Sequence, residues 1–139
     1  MKTMFFLIAV LALSACQNNR GNRLDYAGFI EQQGWVKQGR VQHFRFQGWQ
    51  PLDDRYLILR SNQRKSYLVK LLSTCIDLPY AQNIQVNQKS TRTLNAKFDS
   101  ILVLGQLNQE CTIDSIYEID KLQKQALLDF SNQTEEIRG

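Results

Sequence analysis

Apolar positions along this chain change their spacing from segment to segment, and each spacing predicts an element. Residues 4–13 are continuously apolar. Residues 24–33 set Tyr26, Phe29, Ile30 and Gln33 on one helical face, and Gly34 supplies the residue type that ends a helix in the left-handed conformation. From Val36 the pattern turns to strands. Gln42, Phe44 and Phe46 alternate with Val41, His43 and Arg45, and Gly48 with Pro51 closes that segment. Residues 55–60 and 66–72 are short apolar runs on either side of the polar stretch 61–65, which is the clearest hairpin in the chain. Residues 84–86, 94–103 and 110–119 read as further extended segments, the second bent at Asp99-Ser100. Asp120 then resembles the N-cap of a helix carrying Leu122, Ala126, Leu127 and Phe130 on one side.

This order of elements predicts a mainly β, β-rich α+β fold: a small antiparallel sheet rolled into a partly open barrel, with short N- and C-terminal helices covering an open edge. A two-layer α+β sheet is the alternative. The predicted division is a signal segment at 1–15, a tether at 16–23, one β-rich domain at 24–130 and a flexible tail at 131–139.

The apolar run 4–13 is too short to span a bilayer. It follows a positive start, Met1-Lys2-Thr3, and ends in Leu13-Ser14-Ala15-Cys16, the pattern of a lipoprotein signal. The expected product has Cys16 at its N-terminus with a diacylglyceryl thioether on sulfur, and is anchored to a membrane without crossing it. The competing reading is an ordinary secretory cleavage after Ser14. Gln17, in place of the aspartate that often retains lipoproteins at the inner membrane, favours the outer membrane facing the periplasm. Outside the cytoplasm, nucleic acid is not an expected partner.

With Cys16 assigned to lipid, the remaining cysteines, Cys75 and Cys111, read as one disulfide in an oxidising compartment. Charge is uneven along the chain. From Lys37 to Lys70 eight Lys or Arg stand against Asp53 and Asp54, while from Asp99 to the end eight acidic residues stand against three basic ones. Arg40, Arg45, Arg55, Arg60, Arg64, Lys65 and Lys70 would suit lipid phosphates, glycan carboxylates or an acidic envelope protein. Against that, the two halves would cancel locally if they faced each other across neighbouring strands.

Catalytic constellations are poorly supplied. The one histidine, His43, has neither a Gly-x-Ser-x-Gly elbow nor a His-Glu-x-x-His motif to serve, and no phosphate or dinucleotide loop is present. No metal or cofactor is implied. Asp53, Asp54 and Asp99 could pair for acid and base work on a glycan, the motive for an alternative reading as a small envelope hydrolase acting on glycan or lipid. The simpler reading makes them turn residues whose carboxylates bond nearby N–H groups. Trp35, Phe44, Phe46, Trp49, Tyr56 and Tyr67 lie among the basic residues. Most of them suit a core, and Trp49 with Arg45 and Arg55 is the expected binding surface if one exists.

Several motifs in order resemble a known family. They are Trp49-x-Pro51-x-Asp53-Asp54, Tyr67-Leu68-x-x-Leu71, Cys75-x-x-Leu78, Ala81-x-x-Ile84, Phe98-Asp99 and Cys111-x-Ile113-x-x-Ile116. Over roughly residues 40–120 the chain is similar to small secreted proteobacterial proteins catalogued only as a domain of unknown function. The resemblance implies a compact β-rich domain with a Cys75–Cys111 bridge, and it implies no catalytic residue. The expected function is therefore a lipid-anchored envelope protein that binds a partner protein or an anionic envelope component.

Overall fold

The computed structural model of the chain describes residues 23–138; the expected signal segment, Cys16 as the expected lipidation site, Gln17 and the rest of the expected tether up to residue 22 lie outside the described residues. The fold is mainly β, an antiparallel sheet curled into a half-barrel. Helix α1 (Tyr26–Gln33) comes first, followed by β1 (Lys37–Gln38), β2 (Arg40–Gln42), β3 (Gly48–Pro51), β4 (Tyr56–Arg60) and β5 (Ser66–Leu71). A 3-10 turn at Leu78–Tyr80 leads to β6 (Asn83–Asn87), β7 (Thr93–Asn95), β8 (Ser100–Leu104), β9 (Gln109–Ile119) and helix α2 (Lys121–Arg138). The sheet order is β3-β4-β5-β9-β8-β6, with β1 also on β9 and a separate β2-β7 ribbon.

Strand β9 organises this arrangement. Its C-terminal part pairs with β5, Ser66 opposite Ile119 through Leu71 opposite Ile113, and its N-terminal part pairs with β8, Ser100 opposite Thr112. The register shifts between Lys70 and Leu71, so Asp114 is an extra residue on β9. Such a bulge bends a strand and increases its twist, which lets β9 change partner and curl the sheet.

The sheet is buried on its inner face, and on its outer face along β4, β5 and the C-terminal part of β9. Its inner face carries Leu57, Leu59, Tyr67, Val69, Ile101, Val103, Ile113 and Ile116, packed with Phe44 and Leu94 and with the Cys75–Cys111 disulfide, whose Cα atoms are 6.1 Å apart. Its outer face carries Tyr56, Ile58, Leu68, Tyr117 and Ile119, covered by Tyr26 and Ile30 of α1 and Leu127 of α2. Burial on both sides explains why β4 and β5 are continuously apolar and do not alternate.

Both helices have legible ends. Asp25 accepts the Gly28 amide at 2.9 Å, and Gly34 stops α1 in the left-handed region at φ 67°. Asp120 accepts the Gln123 amide at 2.7 Å while the Gln123 side chain accepts the Asp120 amide at 2.8 Å, the reciprocal bonds of a capping box. Aromatic contacts lock the helices together: Phe29 stacks on Phe130 at 4.5 Å, Tyr26 lies edge-on to Phe130, and the Tyr26 hydroxyl donates to Ser131 at 3.0 Å.

Several local expectations are corrected. The helices cover the outer face of β4, β5 and β9, not an open edge. Helix α2 runs on to Arg138 where the apolar pattern stopped at Phe130, and Leu122 faces solvent instead of sharing the side of Leu127. The predicted strand through Phe46 breaks at His43, which sits at φ 56°; Phe44 turns inward but Phe46 is left outside. Gly48 and Pro51 do not close a strand but form one, because Trp49 pairs with Leu59 and Pro51 lies on an edge where its missing N–H costs no ladder bond.

Candidate functional site

The expected Arg45, Trp49 and Arg55 surface is not assembled as one patch. The Arg45 amide donates to Ser61, just past the end of β4, while Arg55 immediately precedes its start. Five strand residues separate those ends, about 16 Å. Trp49 packs against the interior cluster, and where it reaches the surface it lines a cleft with Arg60 and Lys124. Arg55 is held locally, its Nε donating to Thr74 at 3.2 Å.

The three aspartates are engaged in turns. The Asp53 carboxylate accepts the amides of Arg55 at 2.7 Å and Tyr56 at 2.8 Å, and burial raises its pKa. Asp54 pairs with Arg23, and its carbonyl accepts the Cys75 amide at 2.7 Å. Asp99 is fully buried and takes the amides of Lys89 and Asn95 at 2.9 and 2.6 Å. His43 lies exposed in its own turn. The Asp53 and Asp99 carboxylates hold backbone, as the simpler reading of the sequence had it, whereas that of Asp54 pairs with Arg23 through one oxygen and buries the other without a partner.

What the sequence did not single out is a cleft of about 260 Å³ between α1 and the outer face of the sheet, lined by Ala27, Ile30, Glu31, Trp35, Lys37, Tyr56, Lys70 and Tyr117. Strand register builds its floor. Tyr56 lies opposite Lys70 and Lys70 opposite Ser115; in the next row Lys37 lies opposite Tyr117 and Tyr117 opposite Leu68. Alternate residues of a strand share a face, so both rows point outward under α1, with direct neighbours about 5 Å apart and diagonal ones about 7 Å. The two lysines thus flank Tyr117. Trp35 closes one side, positioned by its backbone N–H donating to the Ile30 carbonyl at 3.3 Å and by edge-on packing against Phe29.

The electrostatics of this cleft favour an anion. Its charged residues are Lys37, Lys70 and Glu31, one net positive charge. Among the described residues the ion pairs are Arg23–Asp54 and Lys97–Asp114, so neither cleft lysine is committed to a carboxylate. Asp114, beside the bulge, is held below the usual carboxylate range first by its bond to Lys97 and then by Ser115, with Lys70 adding its field. Aromatic walls with two ammonium groups suit a small ring that bears a negative charge. The volume lies just under the range typical of drug-sized ligands, which limits the occupant to about one ring.

Burial of the tyrosines has a measurable consequence. Desolvation is the first cause that raises the pKa of Tyr26, Tyr56 and Tyr67, and it pushes Tyr56 up to about 12. Unfolded tyrosines ionise near pH 10. As pH rises from about 10 toward 12 the unfolded chain therefore loses protons that the folded chain keeps, and stability falls in that window. Tyrosinate absorbance and loss of circular dichroism should rise together there, with a shallower decline in Tyr56→Phe. Complete tyrosine ionisation before any unfolding would contradict this.

A family of unknown function (DUF6491) matches residues 1–135. No curated protein and no solved structure matches the chain. Among the described residues no helix is long and apolar enough to cross a membrane.

Proposed function

The chain belongs to the DUF6491 family of unknown function, and from that premise we propose that it is a lipid-anchored envelope protein whose domain binds an anionic, ring-bearing envelope component, such as a sugar carboxylate, in the cleft under α1. The observation that carries this reading is the pair of uncommitted lysines, Lys37 and Lys70, brought to either side of Tyr117 by the β1-β9-β5 register. A carboxylate between two ammonium groups gains charge-assisted bonds worth about 1.5–3 kcal/mol each, while the ring packs on Trp35 and Tyr56. The anchor is supported by Leu13-Ser14-Ala15-Cys16, and the family match, which starts at residue 1, takes in that segment. Of the aspartates that motivated a hydrolytic alternative, Asp53 and Asp99 accept backbone amides and Asp54 pairs with Arg23, which favours binding over chemistry.

The test uses Trp35 as reporter. In Trp49→Phe it is the remaining tryptophan of the chain. Glucuronic acid and N-acetylmuramic acid should change its emission saturably, whereas glucose and N-acetylglucosamine should not. Reversing both lysines, Lys37→Glu with Lys70→Glu, should weaken the acids at least tenfold, since every 1.4 kcal/mol of lost contact is a factor of ten. Equal responses to acids and neutral sugars, or unchanged affinity after charge reversal, would remove the cleft from the proposal.

A further inference from the structure

Exposed apolar side chains gather at one end of the half-barrel. Leu72 is 59% exposed, Ile76 67%, Tyr80 85% and Leu107 80%, and they come from neighbouring loops. The Leu72 amide donates to Thr112 of β9 at 2.8 Å, and three residues later Cys75 is bonded to Cys111 of the same strand. The chain then crosses that end of the barrel through the turn at Leu78–Tyr80 and starts β6 with Asn83 opposite Leu104. Leu107 lies in the β8–β9 turn that follows Leu104 directly, which puts it and Tyr80 on the same end. Phe98, also exposed, precedes β8 beside the same part of β9, whereas Val36 and Leu122 sit toward the other end of the sheet. Scattered exposed apolar residues are ordinary; these four share one end of the barrel, spread over about 16 Å from the level of Thr112 to the β8–β9 turn, as an apolar rim and not a single tight patch.

The path of the chain says what would cover this end. Arg23, the first described residue, pairs with Asp54, and the Asp54 carbonyl accepts the amide of Cys75 in the loop that carries Leu72 and Ile76. The chain therefore reaches the domain beside the apolar loops. Cys16 and Arg23 are seven residues apart, so even a fully extended connection spans at most about 25 Å. A lipid on Cys16 would hold this end within that distance of the bilayer. Arg55, at the same end through its bond to Thr74, adds a cation suited to phosphate headgroups. The opposite end carries the polar and basic turn Asn62-Gln63-Arg64-Lys65; the exposed apolar residues toward it, Val36, Phe46 and Leu122, lie far from the point where the chain enters the domain.

We infer that the end formed by Leu72, Ile76, Tyr80 and Leu107 is a membrane-docking surface, seated in the headgroup region of the bilayer that holds the Cys16 lipid. The inference rests on the anchored reading of the function. Leucine and isoleucine side chains enter the boundary with the acyl chains, and tyrosine keeps its hydroxyl in the polar layer. Docking there orients the molecule, with the 61–65 turn pointing away from the membrane.

The experiment is photolabelling of the full chain in intact cells with a photoactivatable phospholipid, followed by mass mapping of the extracted protein. Adducts are expected on peptides holding Ile76, Tyr80 and Leu107 and not on the 61–65 turn. The triple variant Ile76→Ser, Tyr80→Ser, Leu107→Ser should lose them at least tenfold, with the disulfide still formed. The N-terminal peptide of the same sample reports the anchor separately. Acyl mass on Cys16 without adducts at these loops overturns the docking surface and leaves the anchor standing. Loop adducts with no acyl mass on Cys16 overturn the anchor and keep the docking surface. Adducts spread evenly over the chain overturn the inference.

Discussion

Reduction of the Cys75–Cys111 disulfide is expected to lower the stability of the folded domain by about 4 kcal/mol, the value that loop-closure entropy assigns to a bridge of this span. The two cysteines are separated by 36 residues and are almost completely buried in the interior cluster. Between them the chain, which has left β5 at Leu71, crosses the end of the barrel and returns through β6, β7 and β8 to reach β9. The bridge ties the beginning of that excursion to its end, so its loss releases the loop bearing Leu72 and Ile76 along with the unfolded-state constraint. Domains of this size have net stabilities of about 5–15 kcal/mol, so a loss of this size removes a large part of the total. Denaturant unfolding of oxidised and reduced protein measures it directly, and Cys75→Ala with Cys111→Ala should reproduce the reduced form. A difference below about 1 kcal/mol would mean that packing around the sulfurs, and not chain connectivity, holds this end together.

Removing the Asp99 carboxylate should be nearly as costly, about 3 kcal/mol for Asp99→Ala, because two backbone N–H groups lose a charged acceptor at once. One oxygen takes the Lys89 amide and the other the Asn95 amide; the Asp99 backbone also bonds the Asn95 carbonyl at 3.0 Å and the Ile113 amide at 3.0 Å. A single residue thereby joins the β6–β7 connection, the corner between β7 and β8, and β9. The corner itself is tight, with Lys97 at φ 72°. Asp99→Asn keeps one acceptor and should cost less than Asp99→Ala. Hydrogen exchange at Lys89 and Asn95 should accelerate in both variants before global unfolding. A neutral Asp99→Ala would sink this account and return Asp99 to the pool of candidate functional carboxylates.

Legibility varied along the chain for identifiable reasons. The β4–β5 hairpin, α1 with its terminal Gly34 and the capped start of α2 were readable because each depends on contacts within a few residues. The Asp120-x-x-Gln123 pair is a complete capping signature within four residues. The alternation of Phe44 and Phe46 misled because His43 turns the backbone between strands, and once the chain leaves the sheet a period of two no longer reports facing. The expected binding trio failed to meet because proximity in sequence along a strand becomes distance: Arg45 and Arg55 are drawn to opposite ends of β4. The cleft residues had the reverse problem. Lys37, Lys70 and Tyr117 stand far apart in sequence and become neighbours only because β9 lies between β1 and β5.

The sequence by itself determined the kinds of element, the mainly β class, the disulfide pair and the lipobox-like segment, since periodicity, turn chemistry and cysteine count act locally or by composition. Tertiary structure alone decided which residues share a surface. It curled the sheet at the Asp114 bulge, moved the helices from an edge to the outer face, set two lysines beside Tyr117, and collected exposed apolar side chains where the chain reaches the domain. Those outcomes depend on strand order and register, which are fixed by burying both faces of one sheet at once, and no window along the chain contains that information.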